Sequence, residues 1–211
     1  MTVLRLLTAS AVGYLVGTLP SADVASRVAA RGRVDLRASG SRNPGGVNAF
    51  RLLGSTAGRA VIVVDVLKGF TACSLGKAAA GDNGAHVAGV SAVLGHCYPA
   101  WNGFRGGKGI ATSFGQCLYT FPAAAPMDIA LAIGIARIPG LRRKGLVSTA
   151  VASGTWLAAS LVWWKRRLPN SWGPPPSLAL PLANAATLLI IGSRFALALR
   201  RGHSDDLEVR N

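Results

Sequence analysis

The sequence predicts an all-α, polytopic integral membrane protein that forms a single domain over residues 1–211, with about seven transmembrane helices. Half of the residues are hydrophobic and only 15% are charged, and the mean hydropathy is +0.38, which is too apolar for a typical soluble domain. A net charge of +15 suggests nucleic-acid binding in a soluble chain. Here the cations lie mostly in short gaps between apolar runs, as in cytoplasmic loops. We therefore expect contact with membrane lipids and no nucleic acid.

The amino-terminal half contains three apolar runs. Residues 2–19 predict a retained first helix, with a cleaved signal peptide as the alternative. Residues 21–58 form an arginine-rich segment that is expected to be a cytoplasmic loop, which places the amino terminus outside. Residues 57–80 and 85–100 predict the second and third spans.

The carboxyl-terminal half is harder to divide into spans. Pro122 and Pro126 interrupt an apolar run, so we expect two short helices, over residues 111–121 and 127–138. A model with six spans, in which residues 112–138 cross the membrane once, is the alternative.

The last two predicted spans cover residues 145–164 and 178–199 and leave the carboxyl terminus in the cytoplasm. The basic residues 165–167 then lie outside, against the positive-inside rule. Six spans would put two other basic groups outside, so seven spans violate the rule less.

Ionisable and thiol side chains lie inside these apolar runs. Asp65 and Lys68 stand three positions apart on one helix face and are expected to pair, and charged groups within a span are functional candidates. Three cysteines, an odd number, favour neither a disulfide framework nor a metal site, and we expect them to pack in the core.

Two polar stretches predict a site for an anion. Residues 95–115, GHCYPAWNGFRGGKGIATSFG, contain consecutive glycines flanked by cations, which leaves backbone N–H groups open to a phosphate. The nucleotide-binding P-loop pattern fails, because Asn102 and Gly109 stand where a glycine and a hydroxyl residue are required. A flexible basic turn is the alternative.

The second stretch is SGSRNPGGVNAFRLLG, residues 39–54. Ser41, Asn43 and Asn48 offer side chains that hydrogen-bond hydroxyl groups or phosphate oxygens, and Arg51 offers a planar fork for phosphate. An ordinary turn is the alternative. His96, at the inner end of the third span, lies next to the glycine loop.

The stretches GSRNPGGVNAFRLLG, DVLKG and GHCYPAWNGFRGGKGIAT, preceded by GYLVGTLPSADVASR, closely resemble the bacterial acyl-phosphate:glycerol-3-phosphate acyltransferases, the PlsY family. The resemblance covers residues 13–115. It implies an enzyme of the bacterial plasma membrane with its site on the cytoplasmic side and without a metal or nucleotide cofactor. Its substrates would be acyl phosphate and glycerol 3-phosphate, and acylation of the sn-1 hydroxyl would give lysophosphatidic acid.

The resemblance also implies roles for individual residues. Candidate catalytic residues are Ser41, His96 and Lys108. Candidate substrate-binding residues are Asn43, Asn48, Arg51, Lys68, Gly106, Gly107 and Gly109.

The chain departs from the family pattern near its carboxyl end. The usual His and Asn of the last helix fall at Gly192 and Phe195. We expect His96 to take over their polar contacts and His203, in a charged tail, to stay apart from the site. A catalytically impaired relative, or a membrane binder or transporter of phosphate esters, therefore remains an alternative.

Overall fold

The computed structural model describes residues 2–203, and the regular structure in this part of the chain is helical. Two short 3-10 turns, at Ala100–Asn102 and Pro122–Ala124, lie between the longer helices. The α-helices are α1 (Thr2–Gly17), α2 (Ser21–Ala30), α3 (Gly46–Leu53), α4 (Ser55–Cys97), α5 (Ile110–Thr120), α6 (Ala125–Ala136), α7 (Lys144–Arg166) and α8 (Ala179–Arg200).

Helix α4 is bent into two halves, residues 55–79 and 82–97. Ala80 and Gly81 leave the helical conformation, and Gly81 has a φ of +68°, a region that glycine enters without steric cost. The halves touch at Gly76 and Gly84, where a Cβ on either residue would collide with the backbone of the other. These halves correspond to the predicted second and third spans, and the break between them is shorter than expected.

Helix α1 runs beside the second half of α4 in the same direction. Gly13 packs on the backbone of Ala88 and Gly17 on that of Ala92, with no room for a Cβ on either glycine. Small residues at such a contact let two membrane helices approach closely.

Helices α5 and α6 confirm the expected pair of short helices. The chain turns by 118° between them at Pro122, because proline lacks the N–H group that a continuous helix needs. Phe121 at this turn is fully buried and belongs to an apolar cluster with Cys117, Trp156 and Leu180. All three cysteines are free and buried, as the sequence predicts.

The predicted loop over residues 21–58 is only partly a loop, because α2 and α3 form within it. Their apolar faces meet in a buried cluster that contains Ala22, Leu36, Ala49 and Val61. Burial of this face stabilises helices too short to persist alone. The expected cytoplasmic segment therefore contains two short helices.

Three helical segments of residues 2–203 are long and apolar enough to cross a membrane. They are Thr2–Ala30, Lys144–Arg166 and Ala179–Arg200, and the bent pair α5–α6 passes the same criterion when it is taken as one span. Arg59, Asp65, Lys68 and Lys77 interrupt the apolar run of α4.

Candidate active site

A buried polar cluster joins α2 to both halves of α4. Asp65 Oδ1 accepts hydrogen bonds from Lys68 Nζ at 2.7 Å and from Ser21 Oγ at 2.6 Å. His96 Nδ1 lies 3.6 Å from the same oxygen. The Asp65 and Lys68 side chains are 2% and 3% exposed, which confirms the predicted pairing. The cluster holds the two halves of α4 together close to His96.

The glycine loop, residues 105–109, packs against the end of α4. The N–H groups of Gly106 and Gly107 donate to the carbonyl oxygens of Cys97 and His96, both at 3.1 Å. Gly107 also lies so close to His96 Nε2 that a Cβ there would collide with the ring. The glycines therefore permit close packing, as expected, but their two amides bond to α4. The expectation that these amides face an anion was wrong.

The loop before α3 is organised by Asn48, which is 1% exposed. Its Oδ1 accepts a hydrogen bond from the N–H group of Ser41, and its Nδ2 donates to the carbonyl oxygens of Leu36 and Ser39. The Ser41 hydroxyl is buried and has no hydrogen-bond partner among residues 2–203. Asn48 thus fixes the loop, and Ser41 presents an unpaired hydroxyl.

Arg37 ties this loop to the glycine loop. Its guanidinium pairs with Asp23, and its Nε–H donates to the carbonyl oxygen of Arg105 at 2.8 Å. Asn102 Nδ2 donates to the same aspartate at 3.4 Å. The loop before α3 and the glycine loop therefore meet in space.

A polar cavity lies between these two loops and the end of α8. Ser41, Asn43 and Gly106 line it, and so do seven cations or potential cations, but no acidic residue among those the structure describes. The basic residues are Arg37, Arg42, Arg105, Lys108, Arg194, Arg201 and His203. A cavity of this charge attracts phosphate groups.

An apolar groove of about 340 Å³ adjoins the polar cavity. Its apolar walls come from α3 to α6 and include Val47, Ile62, Val66, Phe114, Ile129 and Ile133. Its polar lining consists of His96, Asp65 and Asp128, while Asn43 and Lys108 line both the groove and the polar cavity. The arrangement can hold an anionic head group next to an acyl chain.

The candidate residues fall into four groups by position. Ser41, Asn43, Lys108 and Gly106 line the polar cavity, and His96 and Gly109 line the groove. Lys68 and Asn48 are committed to buried contacts within the protein. Arg51 is exposed in the last turn of α3 and lines neither the polar cavity nor the groove.

Lys108 is supported by the carboxyl-terminal helix. Its Nζ lies 4.7 Å from the ring centroid of Phe195, at a distance typical of a cation–π contact. Phe195 is buried with Val93, Cys97 and Ile191. The aromatic residue that replaces the family's asparagine is therefore part of the site.

Arg194 and His203 are site residues that the sequence interpretation missed. Arg194 donates to the carbonyl oxygens of Gly106 and Gly107, and His203 lines the polar cavity, contrary to its expected separation from the site. The available signal was the charge of Arg194 between Gly192 and Phe195. It was overlooked because the family pattern directs attention to those two neighbours.

His203 lies outside the helices, and its pKa is lowered from the ordinary value of 6.5. Partial burial is the largest cause, and repulsion by Arg42, Arg201, Arg194 and Lys108 adds to it. The cavity therefore disfavours one more positive charge.

A family model described as glycerol-3-phosphate acyltransferase matches residues 7–202. The glycerol-3-phosphate acyltransferase of Thermoanaerobacter pseudethanolicus is 37% identical over 153 residues, which cover 72% of this chain and 75% of that protein. Glycerol-3-phosphate acyltransferase 1 of Dehalococcoides mccartyi is 33% identical over 204 residues, or 95% and 92% of the two chains.

Among solved structures, the crystal structure of PlsY, an integral membrane glycerol 3-phosphate acyltransferase, in its glycerol 3-phosphate form superposes with a TM-score of 0.73. It is 28% identical, and the match covers 94% of both chains. Its lysophosphatidic acid form gives a TM-score of 0.72 at 27% identity. This chain, an integral membrane protein with several helical spans, belongs to the glycerol-3-phosphate acyltransferase family.

Proposed function

We propose that the protein transfers a fatty acyl group from acyl phosphate to the sn-1 hydroxyl of glycerol 3-phosphate and so produces lysophosphatidic acid. One observation carries the proposal: a cationic cavity and an apolar groove meet at Asn43 and Lys108. Glycerol 3-phosphate fits the cavity by charge, and the chain of the acyl donor fits the groove by polarity. The reactive acyl carbonyl then lies where the two join.

The reaction needs positioning and charge neutralisation more than a nucleophilic side chain, because phosphate is a good leaving group. The substrate hydroxyl oxygen forms a bond to the acyl carbon, and the bond from that carbon to the phosphate oxygen breaks. The departing phosphate takes the hydroxyl proton. In this scheme Lys108 neutralises the acyl phosphate, and no metal or nucleotide takes part.

Ser41 and the arginines are assigned to glycerol 3-phosphate. The unpaired, buried hydroxyl of Ser41 is available to a substrate hydroxyl or phosphate oxygen. Arg42 and Arg105 line the same cavity and offer planar donors to the phosphate. The family resemblance implies Arg51 as the phosphate anchor, but its side chain lines neither the polar cavity nor the groove, so we assign the phosphate to the arginines of the cavity.

The 118° bend between α5 and α6 supports the seven-span topology, and α7 packs against α6. The Phe121 ring, just before α6, lies 5.5 Å from the Trp163 ring near the end of α7, and Ser148 near the start of α7 donates to the carbonyl oxygen of Ala132. The two helices therefore run in opposite directions. In this topology α5 leads outwards through the membrane and α6 leads back. The chain then ends on the same side of the membrane as the segment between α1 and α4. We assign that side to the cytoplasm and the protein to the bacterial plasma membrane.

Reconstituted, purified protein tests the proposal. Acyl phosphate, acyl-CoA and glycerol 3-phosphate are offered separately and in pairs, and lysophosphatidic acid is measured. We expect product only from acyl phosphate with glycerol 3-phosphate. Product from acyl-CoA instead would refute the assigned donor.

A catalytically impaired relative is the second candidate, favoured by the apolar residues at Gly192 and Phe195. It predicts binding of glycerol 3-phosphate without turnover. Isothermal titration on the same protein separates it from the enzyme. A membrane binder or transporter predicts movement of glycerol 3-phosphate into sealed vesicles.

A further inference from the structure

Arg194 joins α8 to the glycine loop. Its Nε–H donates to the Gly107 carbonyl oxygen at 3.1 Å, and its Nη2–H donates to that of Gly106 at 2.6 Å. A guanidinium is planar with donors in a fixed fork, so bonds to two successive carbonyls fix the orientation of the loop. We propose that Arg194 is a positioning residue for acyl transfer: it clamps the glycine loop and thereby places Lys108.

The guanidinium is itself held in place. Its Cζ lies 5.1 Å from the centroid of the Tyr98 ring. The Tyr98 hydroxyl bonds to Ser193 Oγ at 2.6 Å, and the Tyr98 carbonyl oxygen accepts a bond from the Tyr14 hydroxyl. The clamp therefore rests on α1, the end of α4 and α8, which are packed helices. A rotamer-rich side chain fixed in this way positions a loop with less entropic loss on binding.

The loop is bonded on both sides. Its carbonyl oxygens accept from Arg194, while the N–H groups of Gly106 and Gly107 donate to the end of α4. The next turn of the loop, at Gly109, covers Cys97, whose side chain is fully buried. Loosening the loop therefore uncovers the Cys97 thiol. This gives a readout that does not depend on turnover.

Two substitutions separate a clamp from a simple anion-binding charge. In Arg194→Gln the amide nitrogen reaches about as far as Nε of arginine, so the bond to Gly107 is retained without charge. In Arg194→Lys the ammonium lies one bond closer to the backbone than Nη2, so the charge is retained but at most one of the two carbonyl bonds. If Arg194 is a clamp, the Cys97 labelling rate and the acyl-transfer activity of both variants should lie between those of wild type and Arg194→Ala. If Arg194 only supplies a positive charge, the Lys variant alone should approach wild type.

The first measurement is the labelling rate of each cysteine with N-ethylmaleimide in the full-length protein, followed by mass spectrometry of the peptides. Cys73 and Cys117, buried elsewhere, are internal controls, and Arg200→Ala removes an exposed arginine from the same helix. A bond from a charged donor changes local opening by about ten- to a hundredfold. We expect labelling at Cys97 alone to accelerate by about a hundredfold in Arg194→Ala and about tenfold in the Gln and Lys variants.

Labelling of Cys97 at the wild-type rate in Arg194→Ala overturns the proposal. If Arg194→Ala exposes all three thiols, the test is the labelling rate of Cys97 in Arg194→Gln. A rate equal to that of wild type in this variant also overturns the clamp. The second measurement is acyl transfer, in which we expect lower kcat in both the Gln and Lys variants, with the KM for glycerol 3-phosphate unchanged in the Lys variant, which keeps the charge in the cavity. Full activity of Arg194→Lys with an Ala-like Arg194→Gln assigns a charge role and refutes the clamp. The labelling experiment does not require turnover. It therefore tests the clamp even if the proposed acyl transfer is refuted.

Discussion

Replacing Lys68 by methionine removes the ammonium that lies 2.7 Å from Asp65 Oδ1. The resemblance implies that Lys68 binds substrate, whereas the structure commits it to a buried ion pair. Removing one partner of a buried pair costs about 3–5 kcal/mol, because the other charge is left uncompensated. The Ser21 hydroxyl still donates to the same carboxylate oxygen at 2.6 Å, so we expect the lower end, about 3 kcal/mol.

Thermal unfolding in detergent micelles measures this loss. With the sensitivity of soluble domains of similar length, about 3 kcal/mol lowers the unfolding midpoint by about 6–12 °C. The double change Asp65→Leu with Lys68→Met should recover most of it, because replacing both charges by apolar groups removes the uncompensated charge. Lys77→Met is the matched control on the same helix. Its pair with Asp82 is nearly half exposed, and we expect a change below about 1 kcal/mol.

Two outcomes contradict the structural role of Lys68. One is a midpoint in Lys68→Met that stays within the range of the Lys77 control, together with a raised KM for either substrate. The other is a double variant whose loss equals the sum of the two single losses, since that would mean that the charges do not interact.

Three further predictions follow from the cavity and the topology. Lys108→Ala should lower acyl phosphate turnover by about ten- to a hundredfold. Arg42→Ala should raise the KM for glycerol 3-phosphate more than Arg51→Ala does. A larger rise in Arg51→Ala would favour the role implied by the family resemblance over the cavity geometry. The pKa of His203 is lower in the folded protein than its ordinary value of 6.5, so the unfolded state takes up more protons as the pH falls below 6.5. The unfolding midpoint of the wild type should therefore drop more on acidification than that of His203→Gln. Equal drops would contradict this prediction. Ser171→Cys, in the exposed α7–α8 loop, should react with an impermeant thiol reagent in intact cells; labelling only after the membrane is breached would refute the seven-span topology.

The long helices and the buried ion pair could be predicted from the sequence because both depend on local spacing. Apolar runs located α1, α4, α7 and α8, and the separation of three residues between Asp65 and Lys68 put both side chains on one helix face. The break at Pro122 was equally local, since the ring excludes a continuous helix. The two helices inside the arginine-rich segment were missed because their stability comes from mutual burial, which no short window records.

Long-range contacts account for what the sequence did not predict about the site. Asn48 has the side chain of a phosphate-binding residue, yet its amide is used by backbone groups seven to twelve positions away. Arg194 contacts carbonyl oxygens that lie 87 and 88 positions earlier in the chain. Residue type alone cannot separate a substrate ligand from a residue that holds the loop, because the same donors serve both purposes.

The glycine loop is held from three directions, and this bears on whether the altered carboxyl terminus abolishes function. The end of α4 accepts its amides, Arg194 of α8 binds its carbonyl oxygens, and Arg37 binds the carbonyl oxygen of Arg105. Phe195 supports Lys108 through its ring face. Preorganisation of this kind requires fixed donors and acceptors around the loop, and none of those named here is at position 192 or 195. Loss of the family's His and Asn is therefore compatible with a competent loop, provided that Arg194 supplies the contact from α8.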